Sequence, residues 1–179
     1  MIKLAAKDLR HSPINEEEKK KLKKNPIYIV LDNVLDTYNI GAIFRLADAV
    51  AATKVILCEG SETPPNHRIK KASINTTEWV EWSYALTAVD AIQDLRSKNK
   101  ELQVISVELD KRSVPYDKIE YKLPVAIVVG HETDGVSEEV LKMSDQIVEL
   151  PMFGVNISLN VMVSLGIVLY EVVKSLPKK

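Results

Sequence analysis

The sequence predicts a single three-layer α/β domain built on a mainly parallel sheet. Short apolar runs rich in β-branched residues alternate with segments of helical periodicity, which is the pattern of β-α-β units. The first unit comprises the strand "IYIVLD", the helix "IGAIFRLADAVAA" and the strand "KVILCEG". Such a unit predicts parallel strands joined by a right-handed crossover. A chain of 179 residues, 46% of them hydrophobic, is long enough to bury one core.

The other elements follow in chain order. Up to about Asn25 the chain is polar, and "NEEEKKKLKK" predicts a short exposed helix or a mobile arm. After the first unit we predict a short helix "HRIKKASI", a strand "TEWVEWSY", an amphipathic helix "ALTAVDAIQDLRSKNK" and a strand "LQVISVEL". The last part predicts a strand "PVAIVVG", a helix "SEEVLKMS" with Ser137 as N-cap, a strand "QIVELP", and a helix from about Ser158 to Lys174. We therefore assign residues 1–25 to a polar, basic N-terminal arm and 26–179 to one domain.

Composition predicts a cytoplasmic protein. The single cysteine, Cys58, has no partner for a disulfide, which favours a reducing compartment. The first residues lack the apolar stretch of a signal peptide. The longest apolar segment, Val161 to Val173, is interrupted by Ser164, Gly166 and Glu171 and is too short to span a bilayer.

Charge is concentrated locally although the net charge is only −1. Basic runs occur at 19–24 ("KKKLKK"), at 67–71 ("HRIKK") and at the C-terminus ("KSLPKK"). Local basic patches on a near-neutral protein are compatible with RNA binding, and the alternative is that they are solvated faces.

Three polar loops follow predicted strands or precede helices, at 32–39, 130–137 and 151–160. Ligands of parallel α/β sheets bind beyond the carboxyl ends of the strands, so we expect the chemistry there. The sequence contains no GxGxxG, no GxxxxGK[ST], no GxSxG and no HExxH motif. No metal site is predicted, because no second His, Cys or carboxylate stands at ligand spacing from His131.

Each loop offers candidate residues with simpler alternatives. Asn39 stands where a helix N-cap is expected. Arg45 lies away from the apolar face of its helix, so it is either solvated or aimed at a phosphate or carboxylate. Glu132 is placed to enter the same cleft as the glycine that ends the preceding strand. Ser158 and Asn160 lie at the head of an apolar helix, which implies an internal hydrogen-bond network or a ligand that completes one.

Taken in order, "DNVLDTYNIGAIFRLADAV", "AIVVGHETDGVSEEVL" and "IVELPMFGVNISLNVMVSLGIVLYE" resemble the three motifs of the SpoU/TrmH family of 2′-O-ribose RNA methyltransferases in the SPOUT superfamily. The resemblance runs from about Ile27 to Lys174. It implies that 26–179 is a SPOUT methyltransferase domain with a C-terminal deep trefoil knot that binds S-adenosylmethionine. It also implies a homodimer with the first-motif and third-motif helices at the interface, and the apolar circumference of Val161 to Val173 favours such an interface independently.

The resemblance assigns the functional residues by position. For the methyl donor these are Gly130, Leu150 and Leu159, with Met152 and Ser158 lining the same pocket. For catalysis they are Asn39, Arg45, Glu132, Ser158 and Asn160. Because a guanidinium stays protonated, we expect Arg45 to clamp an RNA phosphate and stabilise the developing alkoxide, across the dimer, rather than to act as a base.

Two positions depart from the family pattern. Ile157 stands where the family usually has Glu or Gln, and Met162 where it often has Ser. These departures bear on the substrate subgroup rather than on the reaction. A short arm in place of a separate RNA-binding domain favours tRNA over rRNA as substrate. The alternatives are a knotted RNA-binding dimer without catalysis and an α/β nucleotide-binding oxidoreductase, and the latter would need a glycine-rich loop after the first strand.

Overall fold

The computed structural model describes residues 3–11 and 14–177, which contain seven strands and seven α-helices. The strands are β1 (Asn25–Asp32), β2 (Ala52–Cys58), β3 (Trp82–Ala85), β4 (Gln103–Val107), β5 (Val114–Pro115), β6 (Val125–Gly130) and β7 (Gln146–Glu149). The helices are α1 (Ala6–His11), α2 (Glu16–Lys21), α3 (Thr37–Ala49), α4 (His67–Ser73), α5 (Ala88–Lys98), α6 (Glu138–Met143) and α7 (Val161–Val172).

The strands form one sheet in the order β3-β2-β1-β6-β4-β7-β5, and every neighbouring pair is parallel. The predicted parallel α/β sheet is therefore confirmed. Strand β6 lies between β1 and β4, and all six of its residues are buried, as expected for a strand with both faces covered.

Helices cover both faces of the sheet, so the three predicted layers are present. On one face α3, α4 and α7 bury apolar side chains such as Phe44, Ile69 and Leu165 against the odd-numbered residues of β1. On the other face α5 and α6 pack Ile92 and Val140 against the sheet. Gly166 of α7 lies against α3, since a Cβ there would stand 3.3 Å from a methyl group of Leu46.

Helix α7 begins three residues later than predicted. Asn160, rather than Ser158, is its N-cap, and its Oδ1 accepts a hydrogen bond from the backbone N–H of Met162 (3.0 Å). Helix α3 begins three residues earlier than expected, at Thr37, because Asp36 accepts from the N–H of Tyr38. The prediction of Asn39 as an N-cap is therefore wrong.

The segment "TEWVEWSY" is a strand only in its last part. Residues Thr76–Glu78 form a 3₁₀ turn, and the strand begins at Trp82. Trp79 and Val80 are both buried, which an alternating strand with one exposed face does not allow. The two-residue strand β5 was not predicted, because it is too short to carry a periodic pattern.

The N-terminal arm contains two short helices in the described residues. Asn15 caps α2 by accepting from the N–H groups of Glu17 and Glu18. Residues 1, 2, 12 and 13 of the arm, and the last two lysines of "KSLPKK", lie outside the described residues.

Candidate active site

A cleft of about 540 Å³ lies at the carboxyl edge of the sheet, where β4, β6 and β7 end. Its volume is in the range of small-molecule and cofactor sites. Its walls are both apolar and polar, and they are contributed by Val107 to Leu109, Val129 to Gly135, Val148 to Leu150, Met152, Asn156 to Val161 and Ser164. Two of the three polar loops singled out in the sequence thus meet around one cavity, as the rule for parallel sheets predicts.

All five residues assigned to the methyl donor line this cleft: Gly130, Leu150, Met152, Ser158 and Leu159. The structure gives a steric reason for a glycine at position 130. A Cβ at Gly130 would lie 2.1 Å from the carbonyl carbon of Gly135, so it is the loop's own backbone that approaches closely. His131 and Gly135 close this loop by exchanging two backbone hydrogen bonds of 3.0 and 2.9 Å.

The Glu132 carboxylate joins the second-motif loop to the start of α3. It accepts hydrogen bonds from the backbone N–H groups of Leu35 (3.1 Å) and Asp36 (3.0 Å) and from the side-chain amide of Asn39 (3.0 Å). Burial alone would raise the pKa of Glu132, but these hydrogen bonds outweigh it and hold its pKa below the ordinary value. The carboxylate is therefore ionised and a poor proton acceptor at neutral pH.

Asn39 connects Glu132 to the third motif. Its side chain is buried, with 7% of the residue exposed, and its Oδ1 accepts from the side-chain amide of Asn160 (3.0 Å). Asn160 in turn caps α7. The three polar residues therefore form one hydrogen-bonded chain, Glu132–Asn39–Asn160, with one member from each motif.

Ser158 and Arg45 are not part of this chain. Ser158 is exposed in the cleft wall, and its backbone N–H donates to Oδ1 of Asn156 (3.3 Å). Arg45 is exposed on α3 and does not line the cleft. Within the described part of the chain, Arg45 forms no ion pair and no side-chain hydrogen bond.

His131 lines the cleft but serves its own loop. Its Nδ1 accepts from the backbone N–H groups of Thr133 and Asp134, each at 3.1 Å. The Asp134 carboxylate also lies 3.3 Å from this nitrogen, so the contacts of His131 Nδ1 are to its own loop.

Two acidic residues that hold the second-motif loop were not singled out in the sequence. Glu108, the residue after β4, accepts from the N–H groups of Leu109 and Val136, both at 2.8 Å. Asp32, at the end of β1, is buried and accepts from both the backbone N–H and the hydroxyl of Ser137. Ser137 therefore does not use its side chain as a helix cap. The signal was present in both cases, as an acidic residue at or just beyond the end of an apolar strand.

Among residues 3–11 and 14–177, no group of three or more His, Cys, Asp and Glu side chains is arranged to hold a metal ion. In the same residues, no helix has the length and apolar character needed to cross a membrane.

Residues 26–170 match the model of the SpoU rRNA Methylase family. The chain is 32% identical, over 152 residues, to the tRNA (guanosine(18)-2′-O)-methyltransferase of Aquifex aeolicus, covering 83% of this chain and 69% of the relative. It is 31% identical, over 172 residues, to the 23S rRNA (guanosine-2′-O-)-methyltransferase RlmB of Haemophilus influenzae, covering 95% and 68%. The AdoMet-bound rRNA methyltransferase of Sinorhizobium meliloti superimposes with a TM-score of 0.78 at 28% identity, covering 89% of this chain and 61% of that one.

Proposed function

The chain belongs to the SpoU rRNA methylase family, and from this premise we propose that it transfers a methyl group from S-adenosylmethionine to a ribose 2′-hydroxyl of RNA. The observation that carries the proposal is the hydrogen-bonded chain Glu132–Asn39–Asn160 beside the cleft. It brings polar residues of three separate motifs to one place. Relatives of the chain are named as methyltransferases, which favours an enzyme over a catalytically inactive RNA-binding dimer.

The cleft fits the methyl donor in size and chemistry. Apolar side chains of Val107, Leu109 and Leu150 offer contacts for an adenine ring and an aliphatic chain, and polar groups of the 130–135 and 156–160 loops offer hydrogen bonds. Gly130, Leu150, Met152, Ser158 and Leu159 would hold the donor, given their position in the wall. When bound, S-adenosylmethionine supplies an electrophilic methyl group on a sulfonium centre.

The protein's own contribution is then mainly to position the groups that react. Glu132, as an ionised anchor, fixes Asn39, which fixes Asn160 and so the start of α7. Ser158 offers an exposed hydroxyl in the cleft wall next to these residues. Such preorganisation is an efficient source of rate enhancement, because the reacting groups need no further ordering.

We assign to Arg45 the role of holding an RNA phosphate and stabilising negative charge that develops on the ribose oxygen. Its exposed position on α3, outside the wall of its own chain's cleft, supports action on a substrate bound at the partner subunit's cleft.

We propose a homodimer with α3 and α7 at the interface. Packing of α7 against α3 and the sheet leaves Val163 and Tyr170 exposed, and Tyr38 is exposed on α3. The loop before α7 also exposes Phe153 and Ile157. Exposed apolar residues on two adjacent helices support a protein contact.

Three finer features complete the proposal. We propose that the C-terminal part of the chain forms the deep trefoil knot implied by the motifs. This knot belongs to a methyltransferase unit at 26–179, which follows a polar, basic arm at 1–25. We favour tRNA over rRNA as substrate, with support from the identity to the guanosine-18 enzyme, although RlmB matches at a similar level. We place the protein in the cytoplasm, where such RNAs are processed.

The proposal is tested by methyl transfer from radiolabelled S-adenosylmethionine to total tRNA and to rRNA, followed by mapping of the 2′-O-methylated nucleosides. We expect the wild-type protein to label tRNA. The Arg45→Ala variant should lose methyl transfer but bind the cofactor as tightly as the wild type in calorimetry. Arg45→Lys is the matched control, since it retains the charge but not the planar fork. Cofactor binding with no transfer to any RNA would overturn the enzymatic function, and loss of cofactor binding in Arg45→Ala would overturn the assigned role.

A further inference from the structure

Helix α4 exposes an almost continuous basic surface. Ile69 is fully buried and faces the core. At about 100° per residue, Arg68 and Lys70 lie on either side of Ile69, and His67 and Lys71 lie on the opposite side. All four of these side chains are exposed. The outward half of α4 therefore carries three cationic side chains, Arg68, Lys70 and Lys71.

In the part of the chain that the structure describes, no carboxylate forms an ion pair with the cations of α4, and the acidic group at its N-terminus, Glu62, accepts a hydrogen bond from the N-cap Asn66 (3.1 Å). Lysines on the opposite face of the sheet form ion pairs within their helices, such as Lys98 with Asp94 (2.6 Å) and Lys142 with Glu138 (3.8 Å). Within residues 3–11 and 14–177, Arg68, Lys70 and Lys71 form no ion pair. In a protein of net charge −1, this concentrates positive potential at one place.

Helix α4 lies directly against the helix that carries Asn39. At Gly41, two residues after Asn39, a Cβ would stand 2.5 Å from the Cβ of Ala72 and 2.7 Å from the carbonyl oxygen of Ile69. The glycine therefore permits a close approach of the two backbones. The axes of packed helices are about 8–10 Å apart, so the basic surface lies about one helix diameter from the active-site helix.

The N-terminal arm adds to the same region. Asn75, just after α4 and in a left-handed conformation, donates from its side-chain amide to the carbonyl oxygens of Leu9 (2.9 Å) and Arg10 (3.0 Å). These bonds hold the end of α1 beside the end of α4. Arg10 is exposed there.

We propose that Arg68, Lys70 and Lys71, here called the α4 surface, bind the phosphate backbone of the RNA next to the nucleotide that is methylated. This inference rests on the proposed function, because it takes RNA as the partner. Phosphate contacts from Lys and Arg set the register and orientation of a nucleic acid without reading its sequence. The α4 surface thus contributes affinity and placement, and the cleft contributes the chemistry.

The test compares two triple variants of the full chain with the same loss of charge. One is Arg68→Gln/Lys70→Gln/Lys71→Gln. The control is Lys98→Gln/Lys100→Gln/Lys142→Gln, which removes exposed cations at and near α5 and α6 on the other face of the sheet. Binding of an unmodified tRNA transcript and of an rRNA fragment is followed by fluorescence anisotropy over a series of KCl concentrations. Thermal unfolding confirms that each variant is folded, and calorimetry measures S-adenosylmethionine binding.

In the α4 variant we expect the Kd for RNA to be about 10-fold higher or more. The slope of log Kd against log[KCl] should fall by about 2 to 3, because each lost phosphate contact removes ~0.7–0.9 from the slope. The control should change the Kd by less than about threefold. In both variants, cofactor binding should equal that of the wild type.

An α4 variant with the Kd and salt slope of the control would overturn the inference. So would a wild-type protein that binds the cofactor but neither RNA. If RNA binding depends on the α4 surface but the protein transfers no methyl group, the proposed role of the α4 surface is supported and the proposed methyltransferase function is rejected. Failure of the inference and failure of the proposed function are therefore distinguishable.

Discussion

Replacement of Glu132 by glutamine removes the charge from the centre of the hydrogen-bonded chain while keeping the shape of the side chain. The glutamine side chain has one acceptor oxygen where the carboxylate has two. It can therefore accept hydrogen bonds from the backbone N–H of Asp36 and the side-chain amide of Asn39, or from the backbone N–H of Leu35, but not from all three. Hydrogen bonds to a charged group contribute ~1.5–3 kcal/mol each, and neutral ones ~0.5–1.5. Glu132 is only partly withdrawn from solvent, so water replaces part of this loss. We therefore expect Glu132→Gln to lower the free energy of unfolding by about 1–2 kcal/mol at pH 7.

The loss should depend on pH in a defined direction. The hydrogen bonds hold the pKa of Glu132 below its ordinary value of 4.5, in spite of the opposing effect of burial. Its contribution to stability is therefore complete above pH 4.5 and is lost as the pH falls through the lower pKa of the folded state. Glutamine does not titrate, so the difference between wild type and variant should shrink in acid.

Urea unfolding at neutral pH and at several acidic pH values measures this difference. Glu101→Gln is the matched control, because Glu101 is exposed and forms no hydrogen bond or ion pair through its side chain within the described residues. The control should be neutral within about 0.5 kcal/mol at every pH. A loss in Glu132→Gln that is equal at neutral and acidic pH would refute the electrostatic reasoning, and no loss at all would show that the carboxylate does not anchor the site.

Three further results are expected. Gly135 has φ +74°, and a Cβ there would lie 2.2 Å from the carboxylate of Glu108. Gly135→Ala should therefore lower the free energy of unfolding by about 1–3 kcal/mol and weaken S-adenosylhomocysteine binding in calorimetry. The control Gly154→Ala should do neither, because nothing lies within 4 Å of a Cβ at that position. Asn160→Ala removes the α7 cap and should lower the free energy of unfolding, measured in urea, by about 1–2 kcal/mol. Asn160→Ser should lose less, because serine can still cap the helix. Equal losses in the two variants would contradict the capping role. Burial raises the pKa of the Cys58 thiol to about 12. A thiol reagent at pH 8 should therefore label the protein only after unfolding. Rapid labelling of the folded protein would contradict the buried position.

The elements with strong local patterns were predictable from the sequence. The all-apolar run at 125–130 is a strand with every residue buried, and the amphipathic pattern at 88–98 is a helix with its apolar side on the sheet. Parallel pairing followed from the alternation of strands and helices. Caps and short turns were less predictable, because Asp36 and Asn160 cap helices only through the conformation of one or two residues.

The candidate site was predictable as a set of loops but not as an arrangement. The rule that ligands bind at the carboxyl ends of parallel strands pointed to three loops, and two of them line the cleft. The pairing of Asn39 with Glu132 joins residues 93 positions apart, and its pairing with Asn160 joins residues 121 positions apart. Periodicity carries no information over such separations.

By itself, the sequence determined the class of the fold, the position of the polar loops and, through its motifs, the family. These follow from side-chain periodicity and residue type, which act over a few residues. Only the tertiary structure decided that Glu132 is a hydrogen-bonded anchor, that Gly130 accommodates its own loop, and that the "HRIKK" segment lies against α3. Those properties depend on which distant backbone and side-chain groups meet, and that is set by packing of the whole chain.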